Sequence, residues 1–149
     1  MKVRISVSRD SYEAVRAYLT EHGIEVSEEA DYQITEVSRY ATFLAVRDAK
    51  KDSMRLAVGE VIYIEAFGKE IEIHTAKGMY YAQDRMYQLE EQLDPKDFLR
   101  VSKSVIIARG HVKKIRPSLS MKYILTMTDG TLIDVTRSYY SDFRKAFRI

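Results

Sequence analysis

The residues in this 149-residue chain best placed to do chemistry are cations set at turns and corners rather than along helix stripes. Lys103 lies between Ser102 and Ser104. Arg109 and His111 flank Gly110, and Lys113, Lys114 and Arg116 line the run that follows. Lys122 comes after Ser118, Ser120 and Met121 in an expected loop. Arg137, followed by Ser138 and Tyr139, falls where an alternating segment meets a helical one. An arginine at a strand-to-helix corner can hold its planar fork outward in the geometry that matches guanine O6 and N7. It can equally pair with Asp134 or Asp142 as an ordinary surface ion pair. Lys103 can likewise be a solvated lysine. Tyr139 and Tyr140 could stack on bases, with at least one of them expected in the core. His74 is expected to be structural, and Arg144, Lys145 and Arg148 complement a helix C-terminus without any ligand.

The overall charge of +2 hides a strong asymmetry. Residues 1–95 carry 12 Lys and Arg against 18 Asp and Glu, whereas residues 96–149 carry 12 against 4. A segment of net +8 attached to one of net −6 suggests a polyanion site on one face. The alternative is that the two neutralise each other across a packed interface.

Other chemistries are poorly served. There is no cysteine and there are three histidines, none paired at ligand spacing, so no metal or cofactor is expected. No G-x-x-x-x-G-K, G-x-G-x-x-G or G-x-S-x-G occurs. Glu90 and Glu91 are adjacent on a helix and so do not face each other. No catalysis and no small-molecule substrate is expected. No apolar run approaches the ~20 residues of a spanning helix, and Met1-Lys2-Val3-Arg4-Ile5 has no signal-peptide core. A cytoplasmic domain is expected.

The elements that must position the cations read as mainly β with short helices, an α+β class. Residues 1–40 form a small β-α-β unit, suited to dimerisation or partner docking. Val3, Ile5 and Val7 alternate as in a strand. Asp10 and Glu13 have capping-box spacing, Ala14, Val15, Tyr18 and Leu19 share a helical face, and Gly23 ends the helix. Ile24–Val26 and Tyr32–Ile34 alternate again. Residues 41–149 form the second unit. Strands are expected at Thr42–Val46 and across Val58–Ala66, then at Ile71–His74 after the turn at Gly68 and Lys69. Asp84–Leu93 is helical, with Met86, Leu89 and Leu93 on one stripe and Asp94-Pro95 as its stop. One strand is expected within Phe98–Ile107 and a short basic one at Val112–Arg116. Tyr123–Thr128 and Thr131–Val135 flank Asp129-Gly130, the strongest hairpin signal in the chain. Ser138 caps a final helix with Tyr140, Phe143 and Phe147 on one face.

Taken in order, these segments resemble LytTR-type DNA-binding domains. Ile62-Tyr63-Ile64-Glu65-Ala66-Phe67-Gly68-Lys69 followed by Ile71-Glu72-Ile73-His74-Thr75 is similar to the family's opening strands. Met86-Tyr87-Gln88-Leu89-Glu90-Glu91-Gln92-Leu93 is similar to its helix. The stretch Phe98-Leu99-Arg100-Val101-Ser102-Lys103-Ser104-Val105-Ile106-Ile107 resembles the F-x-R-x-H-[RN]-S motif with its apolar follow-on. Leu125, Met127, Asp129-Gly130 and Asp134-Val135-Thr136-Arg137-Ser138-Tyr139 resemble the ending. The similarity covers about residues 42–149. The chain has Ser102 where the family has His and Ala108 where it has Asn.

The resemblance implies antiparallel sheets that read double-stranded DNA with loops and strand ends. It assigns base contacts to Lys69, Glu70, Lys103 and Arg137, and phosphate contacts to Ser102 and Ser138. Arg109 and Lys122 complete the expected DNA-binding set. The Val-Ser-Lys-Ser version is similar to stand-alone regulators that lack a receiver domain and are often restrained by a membrane-protein inhibitor. Such a regulator would bind direct-repeat half-sites as a homodimer, without its own phosphorylation as the switch. Two other readings stay open. One is a protein–protein module that keeps the fold without reading DNA, suggested by Ser102 and Ala108. The other is single-stranded RNA binding through Tyr80, Tyr81, Tyr139 and Tyr140.

Overall fold

The computed structural model describes residues 1–37 and 39–149, which divide into two compact units, Met1–Arg39 and Tyr40–Ile149. In the first unit, β1 (Lys2–Ser6), α1 (Arg9–Glu21), β2 (Glu25–Val26) and β3 (Tyr32–Thr35) follow one another. The three strands form a parallel sheet in the order β2-β1-β3. Gly23 ends α1 with φ +75°, the left-handed turn that favours glycine there. The start of α1 differs from expectation. Ser8 occupies the N-cap position and no Asp10–Glu13 capping box forms, because the Ser8 N–H is held by the Glu36 carboxylate before Asp10 is reached. Leu19 is buried and Val15 half-buried, while Ala14 and Tyr18 point outward, Tyr18 stacking on His22 at 4.2 Å.

The second unit opens with β4 (Phe43–Arg47), β5 (Ser53–Ala57), β6 (Val61–Phe67), β7 (Glu70–Thr75) and β8 (Gly78–Ala82). Helix α2 (Met86–Gln92) follows, then β9 (Phe98–Arg100) and β10 (Val105–Ala108). These strands make one seven-stranded antiparallel sheet in the order β5-β4-β8-β7-β6-β10-β9. The chain ends with β11 (Val112–Ser118), β12 (Lys122–Met127) and β13 (Leu132–Val135), a separate antiparallel sheet, and α3 (Tyr140–Phe147).

Several segments depart from the sequence reading. The run expected as one strand from Val58 begins with a 3-10 turn at Val58–Glu60, and the strand starts only at Val61. Strands β5 and β8 carry no clear alternation and were not expected; in β5 only Leu56 is buried. Phe98–Ile107 is a hairpin of two strands rather than one. Lys122 begins β12, paired with Ser118, and is not in a loop. Ser138 does not cap α3: residues Arg137–Tyr139 form a 3-10 turn, and α3 starts at Tyr140 without a side-chain cap.

The large sheet buries both faces where β6 and β10 pair. Residues i and i+2 of a strand share a face, so Ile64, Ile73 and Ile106 line one side with Leu89 and Leu93 on and just beyond α2. Tyr63, Val105 and Ile107 line the other, against Leu125, Met127, Val135 and Phe143 of the second sheet and α3. That double burial explains the continuous apolar run Val61–Ile64. The Tyr63 ring stacks on His74 at 4.2 Å, and Tyr63 belongs to the same buried cluster as Leu125, Met127 and Val135 of the second sheet. Among the described residues no helix is long and apolar enough to cross a membrane.

Two stability outcomes are expected in denaturant unfolding. Phe143, fully buried between Tyr123 and Phe147, should cost about 3–5 kcal/mol when replaced by alanine. The β11–β12 turn holds Ser120 at φ +65° and Met121 at φ +56°. Met121→Gly should relieve this left-handed conformation and raise stability by about 1 kcal/mol.

Candidate nucleic-acid interface

Three turns that lie far apart in sequence come together at one end of the two sheets. The first is the β6–β7 turn, with Gly68 at φ +58° and Lys69 and Glu70 exposed. The second is the β9–β10 turn, where Lys103 is exposed. They are neighbours because β6 pairs with β10, and the Ala66 N–H donates to the Ser104 carbonyl at 2.8 Å. The third is the corner after β13, with Arg137 and Ser138 exposed. Its anchor is Thr136, whose N–H donates to the Val101 carbonyl at 3.0 Å. Paired strands lie about 4.8 Å apart, so turns on neighbouring ladders fit within a major groove about 12 Å wide.

Lys122 lies further along the same end. It pairs with Ser118, one residue beyond the Pro117–Tyr123–Val135 row that leads to the Arg137 corner. Alternation along β11 puts Lys114, Arg116 and Ser118 on the same outward face as Lys122. The sequence located Lys114 and Arg116 on a strand but gave them no role, because their common face is visible only once the register with β12 is known.

Ion pairs among the described residues include His74–Glu72, Lys77–Glu60 and Arg100–Glu90. None engages Lys69, Lys103, Lys122 or Arg137, so the alternative pairing of Arg137 with Asp134 or Asp142 does not occur. Two other expected contacts are occupied by structural work. The Arg109 guanidinium donates to the carbonyls of Pro95 (3.1 Å) and Ala146 and lies 5.3 Å from the Phe147 ring centre. It clamps α3 to the sheet and leaves the candidate set. Ser102 is 7% exposed, and its Oγ accepts the Ser104 N–H at 3.2 Å. It shapes the turn that carries Lys103 rather than offering a free hydroxyl to phosphate. Tyr139 and Tyr140 pack half-buried on the core, Tyr140 stacked on Tyr123 at 5.0 Å. Tyr80 also packs on the core, so the expected tyrosine platform for bases does not assemble.

Arg100 is the residue the sequence reading passed over. Its guanidinium donates to the carbonyls of Ser102 (3.1 Å) and Lys103 (2.5 Å) and to the Glu90 carboxylate (2.9 Å). This ties the Lys103 turn to α2 and fixes its backbone before any ligand arrives. Its place as the arginine of the F-x-R-x-H-[RN]-S resemblance was the one signal for it, and no role was attached to it there.

Beside the turns lies a groove of about 500 Å³ lined by Glu65, Ser104, Leu132, Asp134 and Thr136 among others. Burial pushes the Glu65 carboxyl above its usual range; His74 opposes this and Glu72, directly across the ladder, adds to it. The folded state therefore holds this proton more tightly than the unfolded chain. Its contribution to stability is complete below the usual value of 4.5 and is lost as pH rises through the folded value. Glu65→Gln should accordingly raise the melting temperature at neutral pH, and thermal unfolding followed by circular dichroism should show the gap closing below pH 4.5.

Comparison with known proteins bears on the whole second unit. Residues 51–148 match the family described as the LytTr DNA-binding domain. The sensory transduction protein LytT of Bacillus subtilis is 28% identical over 110 residues, covering 68% of this chain and 46% of that protein. The CO-responsive transcriptional regulator RcoM of Rhodospirillum rubrum is 36% identical over 85 residues, covering 56% of this chain and 36% of that one. The chain thus spans less than half the length of these curated relatives. A solved LytTr DNA-binding domain from Bacillus cereus superposes with a TM-score of 0.68 at 23% identity, covering 73% of this chain and 99% of that domain. The solved domain shares the fold of the second unit, and the match from residue 51 to residue 148, well over half of the sequence, leads to one conclusion: the chain belongs to the LytTr DNA-binding domain family.

Proposed function

We propose that this chain is a sequence-specific, double-stranded DNA-binding transcriptional regulator acting in the cytoplasm. The observation that supports it most is the convergence of the Lys69, Lys103 and Arg137 turns at one end of a rigid β scaffold, each cation exposed and outside any ion pair among the described residues. Lys69, Lys103 and Arg137 face base edges. Glu70 can accept from a cytosine amino group, and Ser138 contacts phosphate. Lys122, with Lys114 and Arg116 behind it, follows the backbone of the same duplex.

Two copies on direct-repeat half-sites fit a domain whose reading surface is a single cluster. The N-terminal unit of residues 1–39 is far smaller than the ~100 residues of an ordinary domain. In this reading, association of that unit with a second copy or with a restraining membrane protein, and not phosphorylation, is the switch.

Selection of bound duplexes from a random library should return two copies of one short motif in the same orientation. On that site, fluorescence anisotropy should show Arg137→Ala losing about 1–3 kcal/mol of binding and relaxing discrimination at one base pair. Arg144, whose Nε donates to the Ile149 carbonyl on α3, should be replaceable by alanine with little effect. Equal tolerance of the two changes would contradict the assigned surface. Lys114→Ala should weaken all duplexes alike and reduce the slope of log affinity against log salt by about 1.

A further inference from the structure

The β6–β7 hairpin carries an aromatic side chain that neither the family motif nor the fold accounts for. Phe67 is 54% exposed, although the four residues that open β6 are all buried. Ala66 packs into the core on one face of the sheet. Alternation therefore turns Phe67 to the other face, the side of Tyr63 and Glu65, whose groove reaches Asp134 and Thr136 beside the Arg137 corner. It stands directly opposite Glu70 and is separated from it only by Gly68 and Lys69.

We infer that Phe67 is a specificity residue that packs against the 5-methyl group of a thymine in the major groove. This rests on the DNA-reading assignment above and names one of the groups it recognises. A two-stranded ribbon fits the major groove, where the thymine methyl is the one apolar group on a base edge. Glu70 beside the ring argues for base edges over backbone, since a carboxylate repels phosphate and accepts from a cytosine amino group. The position is also rigid: the Phe67–Glu70 pair closes the hairpin, and the adjacent Ala66 N–H is bonded to the Lys103 turn at Ser104. A ring held in that way contributes apolar contact at little entropic cost. Wedges that unstack base steps work from the minor groove, where the Glu70 carboxylate beside the ring finds no cytosine amino group.

The test uses the full chain and a duplex selected by it, with each thymine replaced in turn by deoxyuridine, which lacks only the methyl. Wild-type protein should bind about fourfold more weakly when one particular thymine is changed. Phe67→Ala should bind the thymine duplex about tenfold more weakly and no longer distinguish thymine from uracil at that position. Phe67→Leu should restore part of the preference. Far-UV circular dichroism should be unchanged in both variants, as the side chain is exposed. The inference is overturned if wild type tolerates every uracil, or if Phe67→Ala keeps the preference. A wild-type protein that selects no duplex overturns the DNA-reading assignment itself, which separates the two failures.

Discussion

Two main-chain hydrogen bonds, from Ala66 N–H to the Ser104 carbonyl and from Thr136 N–H to the Val101 carbonyl, join turns belonging to three separate hairpins and corners. The placement of Lys69, Lys103 and Arg137 depends on them. Long cationic side chains lose rotamer freedom on binding, so a surface made of them works well only when the backbone beneath is already fixed. Arg100 serves the same end by holding the carbonyls of Ser102 and Lys103 while anchored to Glu90. Below them, the buried packing of Tyr63, Val105 and Ile107 against Leu125, Met127, Val135 and Phe143 locks the second sheet onto the first. The cations proposed to face bases are thus carried by turns whose geometry is set by buried packing, and not by a recognition helix.

The charge asymmetry has a matching physical explanation. If the acidic and basic segments simply neutralised each other, ion pairs would cross between them. Within the second unit, Arg100–Glu90 joins the two segments, and that pair positions a turn. His74–Glu72 and Lys77–Glu60 stay within the acidic segment. Lys69, Lys103 and Arg137 are exposed and outside the ion pairs His74–Glu72, Lys77–Glu60 and Arg100–Glu90, and a polyanion with closely spaced charges is the partner the proposed function assigns to them.

Much of this was legible in the residues. Asp129-Gly130 marked its hairpin, with Gly130 at φ +87°, and Met86, Leu89 and Leu93 marked the buried stripe of α2. The ordered motifs pointed to the family that the later match established. What escaped had identifiable causes. Strand β5 is the edge of the sheet with only Leu56 buried, and β8, between β4 and β7, is half-buried on both faces, so neither shows strict alternation. Arg109 looked like any other cation near a glycine; only the approach of Pro95, Ala146 and Phe147, which the tertiary fold creates, shows it to be a clamp. Ser102 looked like a hydroxyl offered to phosphate until the turn closed over it. Single residues at turns are decided by long-range contacts, which a linear pattern does not contain.

The central claim is that these turns act together as one reading surface. Amide hydrogen–deuterium exchange of the full chain, with and without a selected duplex, examines it most directly. Slowed exchange confined to residues 67–70, 102–104 and 136–138, with a weaker effect along 114–122, is the expected outcome. Protection centred instead on α2, β5 or residues 1–39, with those turns unchanged, would contradict the account.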